Sequence, residues 1–261
     1  MTLRDKVALV TGSTSGIGLG VARALATEGV HLMLNGFGDA DEIEKIRGGL
    51  ASEFSVTVRY DGADLMRPEQ VKAIVKKTQV ELGSLDILVN NAGIQFVAPI
   101  EEFPEAKWDA ILALNLSAVF HGMKAAIPQM KAKRWGRIIN IASAHGLVAS
   151  PNKVAYVAAK HGVVGATKVA GIELANDGVT VNAICPGWVL TPLVEQQLEE
   201  RASQSGTDVA TETKGLLEEK QPMLKFTSPE SIGAMVVFLC SDAAQTITGA
   251  ALSIDGGWVA Q

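Results

Sequence analysis

A doubly wound α/β fold, a parallel sheet of about seven strands with helices on both faces, follows from three features of the sequence. Short continuous apolar runs alternate with longer segments of helical periodicity. A glycine-rich turn joins the first apolar run to the first helical one. No Pro-, Gly- or Ser-rich linker breaks the alternation, so residues 1–261 read as a single domain.

The first run, Val7 to Val10, is apolar at every position, which suits a strand covered on both faces. A helix follows from Gly16 to Glu28 and stops at Gly29. Next come a strand from Val30 to Leu34, a helix from Asp41 to Glu53 and a strand from Val56 to Tyr60. Pro68 opens a helix that runs to Leu82, with Gly83 just past its end. The strand Leu85 to Val89 precedes a long apolar helix from Trp108 to Lys133. Strand Ile138 to Ile141, helix Val154 to Asn176 and strand Val179 to Ile184 continue the pattern, and helix Pro229 to Cys240 and strand Ala251 to Ile254 close it. Leu190 to Met223 departs from the alternation. This polar, charged insertion with helical stretches lies beyond a strand's carboxyl end, and residues 190–223 read as a lid over a site there.

Composition narrows the function. Lys and Arg total 23 against 28 Asp and Glu, so a nucleic-acid partner held by basic charge is not expected. No stretch reaches about 18 consecutive apolar residues, and no signal-peptide core opens the chain, which leaves no expected membrane role and a cytoplasmic location. The two cysteines, Cys185 and Cys240, cannot build a disulfide framework or a zinc site and fit a reducing compartment. His31, His121 and His161 lack metal-ligand spacing, so no metal is expected.

The turn after the first strand reads Thr11-Gly12-Ser13-Thr14-Ser15-Gly16-Ile17-Gly18 and opens directly into a helix. Glycines at 12, 16 and 18 allow a sharp turn, close approach to a pyrophosphate and tight helix packing, the requirements of a Rossmann-type dinucleotide site. An acid usually stands at the end of the second strand to hold the adenine-side ribose. Here that strand ends Asn35-Gly36-Phe37, with neither acid nor cation. The expectation is NAD rather than NADP, with Asn35 or the backbone at 36 and 37 serving the ribose.

Tyr156 and Lys160 stand at i and i+4 on one helix face, thirteen residues or more beyond Ser143 at the end of the fifth strand. Oxidising an alcohol requires a base for its proton. A phenol ionises near pH 10 in water, and making it that base at neutral pH takes roughly 4 kcal/mol of preferential phenolate stabilisation. The Lys160 charge and a cationic nicotinamide are expected to supply it.

With these residues in place, the sequence resembles the short-chain dehydrogenase/reductase family over essentially its whole length. The glycine loop, Asn90-Asn91-Ala92-Gly93, Asn115, Ser143, the Tyr156/Lys160 pair, Pro186-Gly187 and Asp255-Gly256-Gly257 carry the likeness. It implies a catalytic tetrad of Asn115, Ser143, Tyr156 and Lys160, with Asn115 supporting a water-linked proton path to Lys160. It also implies cofactor contacts from Gly12, Thr14, Ser15, Gly16, Ile17, Gly18 and Phe37. Further contacts would come from Asp64 and Leu65 at the adenine, Asn91 and Gly93 at its ribose, and Leu114. Pro186, Gly187, Val189 and Thr191 would flank the nicotinamide, and Tyr156 and Lys160 would also touch the cofactor.

A narrower likeness, to the family's bacterial 3-hydroxybutyrate dehydrogenase branch, rests on Asn35 to Asp39, Gly93-Ile94-Gln95, Ala142 to Ser150, Lys153 and Cys185 to Val189. It implies a small hydroxy acid as substrate, held by Gln95, Ser143, His145, Lys153, Tyr156, Trp188, Gln197 and Trp258, and it implies a homotetramer. Rival readings are a 3-oxoacyl carrier-protein reductase, a sugar or steroid dehydrogenase of the same family, or a non-catalytic dinucleotide sensor.

Overall fold

The computed structural model describes residues 2–260, so positions 1 and 261 of the expected 1–261 unit lie outside the described residues. Seven strands form one sheet: β1 (Val7–Val10), β2 (His31–Asn35), β3 (Val58–Asp61), β4 (Ile87–Asn90), β5 (Gly136–Ile141), β6 (Val179–Pro186) and β7 (Ala251–Ile254). Their order is β3-β2-β1-β4-β5-β6-β7, and every pair is parallel. The order reverses between β1 and β4, and chain polarity opens a crevice outside the carboxyl ends of the strands there.

The helices are α1 (Gly16–Thr27), α2 (Ala40–Phe54), α3 (Pro68–Glu81), α4 (Glu105–Leu112), α5 (Ala118–Lys133), α6 (Val154–Glu173), α7 (Pro192–Ser205), α8 (Val209–Glu218) and α9 (Pro229–Cys240). Two apolar layers sandwich the sheet. On one face Val21 and Leu25 of α1 meet Ile232 and Val236 of α9; on the other lie Val71 and Ile74 of α3, Met123 of α5 and Val163 of α6. The closeness of α1 to α9 depends on glycine, since a Cβ on Gly20 would stand 2.6 Å from Pro229 Cβ.

Most strands begin or end one or two residues away from the apolar runs that announce them, because burial and ladder pairing do not coincide at strand ends: Val30 is buried yet unpaired. The expected helix from Trp108 to Lys133 is two helices, α4 and α5, joined through a π turn at Ala113–Ser117. By length and hydropathy the run Glu105–Lys133 would suit a membrane span; here Val119, Met123, Ala126 and Met130 pack it into the sheet's core. The insertion is helical as expected, with α7 and α8 meeting at Gly206 (φ +70°).

Candidate active site

Two clefts open at the carboxyl edge of the sheet. The first, of about 560 Å³, lies over the glycine turn. Gly12 (φ +62°) and Gly16 (φ +52°) adopt left-handed backbone, and a Cβ on Gly18 would lie 2.1 Å from the Gly12 carbonyl oxygen. The turn is braced from inside: the Ser13 hydroxyl donates to the Val10 carbonyl (2.8 Å), and Thr14 Oγ1 donates to the Phe37 carbonyl (3.1 Å). Ser15, at the N-cap of α1, makes no side-chain cap, whereas Asp39, Thr191, Asp208 and Ser228 cap α2, α7, α8 and α9. The first amides of α1 therefore face the cleft with no side chain in competition.

Of the residues expected at a cofactor, Gly12, Thr14, Ser15, Gly16, Ile17 and Phe37 line this cleft. Asp64, Leu65, Asn91, Gly93, Leu114 and Thr191 complete the wall. Others stand elsewhere. Gly18 packs beneath the turn, Val189 belongs to the apolar core, and Gly187 fits against Gln221 and Asp255; Pro186 ends β6, fully buried. Asn35, Gly36 and Phe37 also line this cleft; Asn35 is 2% exposed, and its amide donates to the Asp61 and Ala63 carbonyls, both at 3.0 Å, so its side chain also ties β2 to β3 and the loop that follows. The Asn91 amide likewise faces inward, donating to the Thr11 and Gly12 carbonyls (2.9 and 3.0 Å), so only its remaining surface meets the cleft.

The second cleft, about 680 Å³, lies between the core of the domain and the insertion, with Gln95, Lys153, Trp188, Gln197 and Trp258 in its wall. Ser143, His145 and Tyr156 sit just behind it. His145 stands edge-on to Tyr156 (ring centroids 6.0 Å apart) and to Trp258 (5.1 Å), and Trp258 lies 5.9 Å from Trp188. The Lys153 ammonium lies 5.4 Å from the Trp188 ring centre. Burial, with Lys220 and Arg201 adding to it and Glu219 opposing, holds Lys153 below the ordinary lysine value.

α6 delivers Tyr156 and Lys160 to the end of β5, where Ser143 begins a short turn. A buried ladder fixes that approach: Asn90 Nδ2 donates to Asn140 Oδ1 (2.8 Å), and Asn140 Nδ2 donates to Thr167 Oγ1 on α6 (2.9 Å). Lys160 Nζ donates to the Ile141 carbonyl (2.7 Å) and lies 5.5 Å from the Tyr156 ring centre. Asn115 occupies the π turn, fully buried, its amide bonded both ways to Ile94, accepting from N and donating to O, each at 2.9 Å. Its side chain is therefore a structural clamp between α4–α5 and the loop after β4, and any part it plays in proton transfer falls to its backbone.

The electrostatics depart from the expected phenolate. Burial pushes the Tyr156 phenol above its ordinary value, and the hydrogen bond with Ser143 pulls the other way. Lys160, lowered to about 8 by burial, spends its strongest bond on a carbonyl. The chain's own groups thus keep Tyr156 protonated, because desolvating the phenolate outweighs what Ser143 returns. Burial foremost, then the charges of Lys153 and Lys220, lowers His145 to about 4, so its ring is neutral near pH 7. Both its nitrogens face serines: Nδ1 lies 3.5 Å from Ser143 Oγ and Nε2 2.9 Å from Ser150 Oγ. Ser150, which also lines the cleft, was missed by sequence reasoning; a serine in a loop gives no signal until its partner is known. Cys185 and Cys240 are free and buried, their thiols pushed up by burial to about 11 and about 12.

The first cleft suits a dinucleotide, with glycines where a Cβ would collide and uncapped amides where a diphosphate would lie. The second joins a phenol, a hydroxyl and an ammonium to a pocket rich in polar donors. The chain also resembles known proteins. A family model described as enoyl-(acyl carrier protein) reductase matches residues 12–259. The chain is 54% identical over 261 residues to a D-beta-hydroxybutyrate dehydrogenase of Cupriavidus necator, covering 99% of this chain and 100% of that protein. A D-beta-hydroxybutyrate dehydrogenase of Rhizobium meliloti is 51% identical over 256 residues, covering 98% and 99%. Among solved structures, L-sorbose reductase from Gluconobacter frateurii, complexed with NADPH and L-sorbose, superposes with a TM-score of 0.95 at 32% identity over 100% of both chains. The chain is an oxidoreductase and belongs to the short-chain dehydrogenase/reductase family.

Proposed function

We propose that the chain catalyses the reversible oxidation of (R)-3-hydroxybutyrate to acetoacetate with NAD. The observation that carries this reading is that the Ser143–Tyr156 pair is joined through His145 to a cleft holding Lys153, Gln95 and Gln197, donors suited to a carboxylate near a reacting hydroxyl.

Gly12, Thr14, Ser15, Gly16 and Ile17 would hold the diphosphate end of the cofactor, Phe37, Asp64 and Leu65 its adenine end, and Asn91, Gly93, Leu114 and Thr191 would form the walls between. When bound, NAD supplies a hydride acceptor at the nicotinamide and a positive charge in this pocket. Tyr156 must give up its own proton in the loaded site; as phenolate it then takes the hydroxyl proton, while Ser143 donates a hydrogen bond to the same oxygen and Lys160 holds positive charge beneath the phenol. Asn115 fixes the backbone of the loop after β4 at Ile94. Lys153, Gln95 and Gln197 anchor the carboxylate, so that the alcohol carbon is presented in one orientation. His145 reaches the acid by exchanging its Ser150 bond or by way of Ser150 itself, with Trp188 and Trp258 shaping the wall. The insertion, residues 190–223, acts as a lid that excludes water.

NAD is favoured over NADP because no Arg or Lys stands in the glycine turn or among Asn35, Gly36 and Phe37 to pair with a 2′-phosphate. A homotetramer is favoured by an apolar groove of about 480 Å³ between α5 and α6, where Phe120 (50% exposed) and Val169 (56%) face outward. A cytoplasmic site of action fits the two free, buried thiols. The deciding experiment follows NADH absorbance with NAD and NADP against both hands of 3-hydroxybutyrate and longer 3-hydroxy acids. Turnover is expected with NAD and the R acid; a clear preference for NADP, or for sugars or thioesters over the acid, overturns the assignment. Sizing in solution tests the tetramer, and a monomer rejects it.

A further inference from the structure

Gln221, at the end of the insertion, is 1% exposed and has figured so far only as a neighbour of Gly187. Its amide oxygen accepts from the Trp188 backbone N–H at 3.1 Å, and its Nε2 donates to the Lys225 carbonyl. Its own N–H donates to the Leu217 carbonyl (2.7 Å) and its carbonyl accepts from Leu224 N–H (2.9 Å), which fixes the backbone as α8 ends. Two glycines are shaped around the side chain: a Cβ on Gly187 would lie 2.7 Å from Gln221 Oε1, and one on Gly256 (φ +59°) 2.6 Å from Gln221 Cγ. The chain just beyond makes the same connection, since Met223 N–H donates to the Gly256 carbonyl at 3.0 Å.

One buried amide therefore touches both the segment leaving β6 that carries Trp188 and the turn after β7 that carries Trp258. The Asp255 carboxylate completes that turn by accepting from Gly257 and Val259 N–H (3.1 and 3.0 Å). We propose that Gln221 is a positioning residue for the acid substrate: it sets the separation of the two indoles and, through Trp258, the placement of the His145 ring. The chemistry requires an amide. An apolar side chain would remove the partner of the Trp188 N–H and of the Lys225 carbonyl, both in part-buried bonds, while a carboxylate could accept from Trp188 but not donate to Lys225. The proposal rests on the hydroxy-acid reading above for its substrate, though not for its geometry.

The test compares the full-length enzyme with Q221M and Q221E. Q221M keeps the side-chain volume and loses both hydrogen bonds. It is expected to raise KM for (R)-3-hydroxybutyrate about tenfold, with KM for NAD and kcat within about twofold of wild type. Q221E, protonated at low pH, restores one acceptor and one donor, so its KM is expected to approach wild type in acid and to worsen as pH rises more than wild type does. Intrinsic emission reports independently: Trp258 is 7% exposed, and its opening to water in Q221M is expected to shift the spectrum to the red. A proportional rise in KM for NAD, or a lowered melting temperature with KM for the acid and the emission unchanged, identifies Gln221 as a general staple and overturns the proposal. Should Q221M fail to fold, the pH dependence of Q221E decides alone. If the wild type does not oxidise the acid, the functional reading falls, and the emission shift still judges the clasp.

Discussion

The two clefts are built by opposite means. The one over α1 is made largely of backbone, with glycines at 12 and 16 in left-handed conformation and helix amides left uncapped. The one under the insertion is made of side chains from segments far apart in sequence: Gln95, Lys153, Trp188, Gln197 and Trp258. A backbone site tolerates few residue types at a few fixed spacings, so it writes itself plainly into the sequence. A side-chain site can be assembled in many ways, and its members take on meaning only once the fold brings them together.

Substitutions on either side should separate the two clefts. The largest effect is expected from Tyr156→Phe, which removes the proton acceptor and should lower turnover by roughly 10²- to 10⁴-fold while titration of NADH fluorescence gives an unchanged Kd; retained turnover would remove Tyr156 from the chemistry. Gly18→Ala adds a methyl where the Gly12 carbonyl oxygen is 2.1 Å away. Its strain should weaken cofactor binding by roughly tenfold to a hundredfold, and equal weakening of acid binding at saturating cofactor would show that the clefts are not separable. Lys153→Ala is the mirror test. It should raise KM for the acid roughly tenfold and leave cofactor affinity alone, whereas an unchanged acid KM places Lys153 outside the site.

A last effect concerns stability rather than binding or turnover. His145 ionises at about 4 in the fold against 6.5 when free. As pH falls below about 6.5 the unfolded chain takes up a proton that the folded chain refuses, so folding loses stability, by at most about 3 kcal/mol on reaching about pH 4. His145→Gln should flatten that part of the curve of melting temperature against pH. An unchanged slope would show that the ring is protonated in place.

The same contrast explains what the sequence made legible. The strands, the glycine turn and the Tyr156–Lys160 pair follow from burial, backbone freedom and helical spacing, all local properties. The π turn at Ala113–Ser117 did not, because no Gly or Pro marks it; the demand comes from Asn115 reaching Ile94 across the cleft floor. Asn35 has a second role that is invisible for a related reason. A polar residue at the tip of β2 suggests a ligand contact, and its amide also binds two carbonyls, one at the end of β3 and one in the loop beyond it. The phenol's raised value is also tertiary in origin, since periodicity reveals its ammonium neighbour but not that the ammonium is turned to the Ile141 carbonyl.

The insertion leaves and rejoins the domain at almost one point. Thr227 N–H donates to the Trp188 carbonyl (2.9 Å) and Leu190 N–H donates to the Thr227 carbonyl (3.1 Å), so its two ends are stitched side by side. Closing a loop costs little more as the loop lengthens. The segment is thus a replaceable cartridge: evolution or an engineer can exchange what lies between the stitches, and with it the shape of the acid accepted, without disturbing the register of a single strand.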